Sequence, residues 1–275
     1  RHKRAVIFPR KLYLWTGLIS KRTQTSMKKA IPSAAKAYEE QLMKEINEDR
    51  RAHGKKPFDR NSGGGESMDR EVTVSTTDPE SGMFRKGDHK HCFAYEAHTV
   101  CDRHNFILDT VVTSGNVHDS VAFDALYERV TRRFPEIETV TMDAGYKTPW
   151  ICKRIIDDGR IPSLPYKRPI TKSGFHEWYK YVYDEYLDIV ICPEYRSLPY
   201  STTNRKGCRE YKSLRYQCEA CQTRHLCTES RSCQKTVTRH MWEDYIEQAE
   251  DIRHSPKPPC PLGTTINETV QMAGC

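Results

Sequence analysis

The stretch from residue 71 to residue 170 constrains this chain most, because its apolar pattern changes period four times and turn residues punctuate the changes. Glu71-Val72-Thr73-Val74-Ser75-Thr76-Thr77 alternates and is rich in β-branched side chains, which suit a pleated, half-buried surface, and Asp78-Pro79 ends it. Residues 93–100 and 106–113 predict two further strands around Cys101-Asp102-Arg103-His104-Asn105, whose polar residues suit a hairpin loop. A helix follows, capped by Asp119 or Ser120, with Val121, Ala122, Ala125, Leu126, Val130 and Phe134 as its apolar face and Pro135 as its stop. Residues 137–142 predict a short buried strand that also ends on an aspartate, Asp143. Thr148-Pro149 supplies a cap and a first-turn proline for a helix through Ile151, Ile155 and Ile156 that ends at Gly159, and residues 161–166 read as a fifth strand. The predicted order is β-β-β-α-β-α-β, an α/β mixed sheet that is antiparallel first and parallel once helical crossovers begin.

The flanks differ in character. Residues 1–60 hold 16 Lys and Arg against 6 Asp and Glu, whereas the rest of the chain holds 28 against 31, so the formal charge of +7 originates in the first fifth. A basic segment on a slightly acidic body fits electrostatic capture of a phosphate backbone, and it equally fits a solvated tail. Within it Tyr38, Leu42 and Ile46 recur every four residues and predict a helix over residues 34–53, stopped by Gly54 and Pro57. Residues 61–70 have the composition of a flexible linker. The expected division is therefore a basic, partly helical region at 1–60, a linker at 61–70, a core at 71–170, an insertion at 171–237, a helix within 238–256 and an irregular tail at 257–275. No apolar run approaches the roughly 20 residues that span a bilayer, and Arg1-His2-Lys3-Arg4 has no apolar signal core behind it. A cytoplasmic protein without a membrane partner is expected, and a start without Met suggests a fragment or processed product.

If the fourth strand lies beside the first, Asp78 and Asp143 leave the same edge of one sheet. Two carboxylates there repel unless a cation lies between them, and hard oxygen ligands point to Mg²⁺ or Mn²⁺. Aspartates at strand ends are also ordinary turn and cap residues. Four motifs add to the pair: Val74-Ser75-Thr76-Thr77-Asp78-Pro79-Glu80-Ser81-Gly82, His91-Cys92-Phe93-Ala94-Tyr95-Glu96-Ala97-His98-Thr99, Gly115-Asn116-Val117-His118-Asp119-Ser120 and Asp143-Ala144-Gly145-Tyr146-Lys147-Thr148-Pro149. In order and spacing they resemble the DDE transposases of bacterial insertion sequences, over about residues 66–255. The resemblance implies an RNase H-like catalytic domain, double-stranded terminal inverted-repeat DNA as the partner, a homodimer on that DNA, a nucleoid-associated location, and DNA transposition by two-metal phosphoryl transfer. Asp78 matches the family's first metal-binding aspartate and Asp143 its second. His98, Lys147 and Lys90 are candidates to steady phosphate oxygens.

The resemblance also implies a third metal ligand, a glutamate on a late helix beyond the one predicted at residues 239–253. Family-like text stops near His254-Ser255-Pro256, as a frameshift or truncation would leave it. Glu243, Glu247 and Glu250 are the carboxylates available as substitutes, although they do not occupy the matching place. The expectation is a transposase impaired in strand cleavage; the alternative is a non-catalytic DNA-binding remnant that binds terminal repeats or pairs with intact transposase.

Eleven Cys are present, and five of them fall between residues 208 and 233. Cys218-Glu219-Ala220-Cys221 is a C-x-x-C pair of the kind that tetrahedral Zn²⁺ uses, with Cys227 close behind and Cys192, Cys208, His225 and Cys233 as further ligands to choose from. Cys218, Cys221, Cys227 and Cys192 are the expected structural zinc set, with reduced thiols in a loop-rich insertion as the alternative. Trp178, Tyr179, Tyr181, Tyr183 and Tyr186, beside Arg168, Lys172 and Lys180, suit base stacking on DNA or plain packing.

Overall fold

The computed structural model describes residues 3–13, 19–24, 33–59, 70–86, 90–117, 119–166 and 169–254. In chain order the strands are β1 (Lys3–Tyr13), β2 (Ile19–Gln24), β3 (Arg70–Ser75), β4 (Gly82–Lys86), β5 (Lys90–Asp102), β6 (Ile107–Ser114), β7 (Ile137–Met142), β8 (Ile161–Ser163), β9 (Val182–Asp184), β10 (Ile189–Ile191), β11 (Ser197–Thr203), β12 (Cys208–Lys212) and β13 (Thr236–His240). The helices are α1 (Ser33–Ala52), α2 (Asp119–Arg133), α3 (Pro149–Asp157), α4 (Arg215–Glu219) and α5 (Glu243–His254). The fold is mixed α/β with several sheets. It divides into two compact units, one drawn from residues 1–37, 64–166 and 244–275 and the other from 38–63 and 167–243. The helix at residues 34–53 thus falls largely with the second unit.

The first unit holds a sheet in the order β4-β5-β1-β7-β8, with β6 also on β5. β1 runs antiparallel to β5 and parallel to β7, and β7 runs parallel to β8 through the α3 crossover. The structure corrects the expected neighbour of residues 137–142: β1 lies there, while β3 pairs with β2 in a separate two-stranded sheet. β1 is used on both edges: it matches β5 over nine positions, from Ala5↔Asp102 to Tyr13↔Ala94, and β7 over five, so it fills the gap between them.

Packing of α2, α3 and α5 builds the core. Phe123, Leu126, Tyr127 and Val130 on α2 meet Val140 and Met142 on β7, Ile151 and Ile155 on α3, and Ala249 on α5. The buried face of α2 therefore turns toward Phe123 and Tyr127; Val121 is 49% exposed and Ala125 is also exposed, against expectation. Two stacked aromatic rings, 5.0 Å apart, bury more area than a valine and an alanine, and they set which stripe faces inward. α3 begins as its sequence predicts, with Thr148 Oγ1 accepting from the Ile151 amide.

The second unit is an antiparallel sheet in the order β13-β12-β11-β10-β9 with most of α1. Residues 236–240 are a strand, so the helix expected from residue 239 starts instead at Glu243; alternating Thr236-Val237-Thr238 extends the β12 ladder before a helix can start. α1 is fastened by Asp49, whose side chain is 4% exposed. It accepts from Arg209 Nη2 at 2.6 Å and from the Thr203 hydroxyl. Nearby, Asp188 Oδ1 accepts from the hydroxyls of Tyr211 at 2.6 Å and Tyr183 at 2.9 Å, and His53 Nε2 stands 2.9 Å from its Oδ2. Burial works to raise the Asp188 carboxyl, but hydrogen bonds from Tyr211, His53 and Tyr183 outweigh it and hold it below the usual range.

Two tests follow from these acids. Asp49→Ala removes the carboxylate paired with Arg209 and is expected to cost about 1.5–3 kcal/mol in denaturant unfolding of the second unit. Asp188, held below its unfolded pKa, stabilises fully above the unfolded value and loses that contribution as pH falls through the folded one. Asp188→Asn should therefore flatten the acid limb of the stability profile, read by melting temperature against pH.

Candidate functional site

Asp78 follows β3 at the head of a turn. Its amide donates to Ser75 Oγ at 3.1 Å, and its carbonyl accepts from the Ser81 hydroxyl at 2.6 Å. Both carboxylate oxygens lie 2.9 Å from the Tyr95 hydroxyl on β5, and this hydrogen bond pushes the phenol's pKa up. Neighbouring glycines allow the turn its place. A side chain on Gly82 would collide with Asn116, and one on Gly115 would stand 2.8 Å from the Ala94 carbonyl. The Ser81-Gly82 and Gly115-Asn116 motifs are thus two halves of one close backbone approach.

Asp143 follows β7 and caps a short 3₁₀ turn, Ala144–Tyr146, with Oδ1 accepting from the Gly145 amide at 2.8 Å. The turn is held from beneath. Tyr146 is fully buried and its hydroxyl lies 2.8 Å from His98 Nδ1, while His98 Nε2 lies 3.1 Å from Thr113 Oγ1. His98 is itself fully buried, so it supports the Asp143 turn from inside the sheet.

The register relates the two acids. Ile7 of β1 pairs with both Val100 and Met142, so Asp143 emerges level with Thr99, and Tyr95 lies four residues further toward the same end, about 13 Å along the strand. Both acids belong to that end, with β1 between the strands that anchor them. Among the described residues no group of three or more His, Cys, Asp or Glu side chains is arranged to hold a metal ion. As hard oxygen donors Asp78 and Asp143 suit Mg²⁺ or Mn²⁺, but they do not by themselves make a complete metal-holding set.

The three candidate glutamates have different positions on α5. Glu250 reaches the Asp143 side: its Oε1 is ion-paired with Lys147 Nζ, and its Oε2 accepts from Arg253 at 2.8 Å. Glu247 is exposed and Glu243 starts the helix. α5 is further tied to α3 by Lys153, which donates to Asp157 at 2.6 Å and to the Tyr245 hydroxyl at 3.2 Å. Of the candidate DNA contacts, Lys147 is engaged by Glu250, Lys172 is exposed and paired with Glu229 at 2.6 Å, and Lys90 opens β5 opposite Lys86. Arg168 lies outside the described residues.

In the second unit Cys192, Cys218, Cys221 and Cys227 line one small cavity. Burial pushes the Cys227 thiol up, and the nearby Cys192 and Cys221 sulfurs push it further, against a lowering contribution from Tyr181. Trp178, Tyr179 and Tyr186 are exposed, whereas Tyr181 belongs to the packed cluster around Tyr211. Tyr95 and Tyr146, which position the two acids, carry no sequence signal beyond lying inside the motifs.

Tyr146→Phe removes the hydroxyl bound to His98 and is expected to cost about 1–3 kcal/mol. Urea unfolding of the variant, set against Tyr186→Phe at an exposed position, measures it.

Comparison with known proteins adds one match: a family model described as Transposase DDE domain covers residues 71–223. No curated protein matches, and no solved structure does.

Proposed function

The chain belongs to the DDE transposase family, and from that premise we propose that it is an RNase H-like domain for DNA strand cleavage and transfer at insertion-sequence ends, impaired in the cleavage step. Asp78 and Asp143 are the carboxylates that would hold Mg²⁺ or Mn²⁺, which supplies this family's chemistry by activating the attacking oxygen and stabilising the leaving one. Double-stranded terminal-repeat DNA is the partner, bound by a homodimer, with Lys147, Lys90, Arg168 and Lys172 as phosphate contacts.

One observation carries the impairment. Glu250, ion-paired with Lys147 of the segment after the Asp143 turn, has its two oxygens engaged by Lys147 and Arg253. A carboxylate balanced by two cations has little charge left for a metal, and moving it would break both ion pairs. The same observation supports a second reading, in which the chain binds terminal repeats or pairs with intact transposase without cutting. No described helix is long and apolar enough to cross a membrane.

The test is cleavage and binding of labelled terminal-repeat DNA with Mg²⁺ or Mn²⁺, comparing the chain with Asp143→Asn and Glu250→Gln. Expected are binding that weakens steeply with salt and feeble cleavage that Asp143→Asn removes and Glu250→Gln leaves alone. Vigorous cleavage abolished by Glu250→Gln would overturn the impairment, because Glu250 would then have left Lys147 to complete the site. Absent DNA binding at low salt would overturn the reading itself.

A further inference from the structure

We propose that the second unit carries a structural Zn²⁺ site formed by Cys192, Cys218, Cys221 and Cys227. The sequence leaves the set open, since Cys208, Cys233 and His225 are as close in the chain to the C-x-x-C pair. The fold chooses among them. Cys192 follows β10, Cys218 lies in the last turn of α4 and Cys221 closes the turn after it, its amide donating to the Cys218 carbonyl at 3.3 Å, and Cys227 ends a short 3₁₀ turn. All four line one cavity, which Cys208, Cys233 and His225 do not. Thiols from three separate elements converge there.

The cavity measures about 20 Å³, room for a single water-sized body. That size suits one ion. Four soft thiolates select zinc over Mg²⁺ or Ca²⁺. A zinc ion with four thiolates carries two net negative charges, and Arg196, Arg224 and Lys235 outnumber Glu194 among the charged residues lining the same cavity, which leaves positive charge to balance them.

The surrounding donors point the same way. The Arg196 amide already lies 3.4 Å from Cys192 Sγ. Tyr181 is 8% exposed, and its buried hydroxyl has no partner of normal hydrogen-bonding geometry although Cys227 stands beside it. A neutral thiol is a weak acceptor, whereas a metal-bound thiolate is a strong one, so zinc at Cys227 would turn this loose contact into a full hydrogen bond. The thiols are not preassembled, since no three of them form a ready metal-holding group. Closing the site draws the sulfurs inward and couples metal binding to folding of the insertion.

The inference is independent of the DNA-processing reading, and so is its test. The full chain, purified reduced and without chelator, is analysed for metal and alkylated with iodoacetamide before and after a strong chelator, each cysteine being followed by mass spectrometry. Expected are one zinc per chain, slow alkylation of Cys192, Cys218, Cys221 and Cys227 that becomes fast after chelation, and alkylation of Cys208 and Cys233 at rates that chelation does not change. Cobalt-loaded protein should show the thiolate charge-transfer and tetrahedral d–d bands. Cys233→Ser should keep the zinc and Cys221→Ser should lose it. Zinc-free protein, iron in its place, or cavity thiols that alkylate equally fast with and without chelator would each overturn the proposal.

Discussion

A sheet cannot skip a strand. β5 and β7 belong to one sheet only because β1 fills the gap between them, giving nine paired positions to one neighbour and five to the other. Without it, both strands would present unpaired amides and carbonyls along an edge, a liability that buried sheets do not tolerate. Everything at the candidate site inherits this arrangement. Asp143 is placed by β7, Asp78 is anchored to β5 through Tyr95, and their separation is set by the strand between. The segment richest in positive charge thus also supplies the middle of the sheet, so truncating it would disturb the fold as well as any grip on phosphate.

Much of the first unit was legible because local chemistry and tertiary packing agree there. Residues 137–142 form the strand their apolar run predicts, and Thr148-Pro149 opens α3 with the hydrogen bond its sequence implies. Where they disagree, packing decides. The α2 stripe rotates toward Phe123 and Tyr127 because aromatic area outweighs Val121 and Ala125. β1 was illegible because its residues mix charged and apolar side chains without a clean period, and only its long-range partners make it a strand. The five-stranded sheet of the insertion escaped for a related reason: β9 and β10 are three residues each, too short to show alternation.

At the site itself, the sequence revealed the acids but not what holds them. Asp78 and Asp143 stand out as punctuation after strands, while Tyr95 and Tyr146 look like ordinary strand and turn aromatics until the register brings them into contact with Asp78 and His98. Glu250 was visible only as one of three glutamates on a helix. The fold separates them: Glu250 meets Lys147 and Arg253, and Glu247 lies exposed. Charge neutralisation between helix α5 and the Asp143 turn is a tertiary fact that no spacing rule encodes.

The support beneath Asp143 has a consequence for how the domain would respond to its medium. His98, Tyr146 and Thr113 form a chain of short hydrogen bonds inside the sheet, where mobile ions do not reach. Lys172 and the other surface cations lie in solvent, where a Debye length of about 8 Å at physiological ionic strength mutes them. Aim and grip are therefore governed by different physics. Rising ionic strength would mute the surface cations while leaving the orientation of Asp143 untouched.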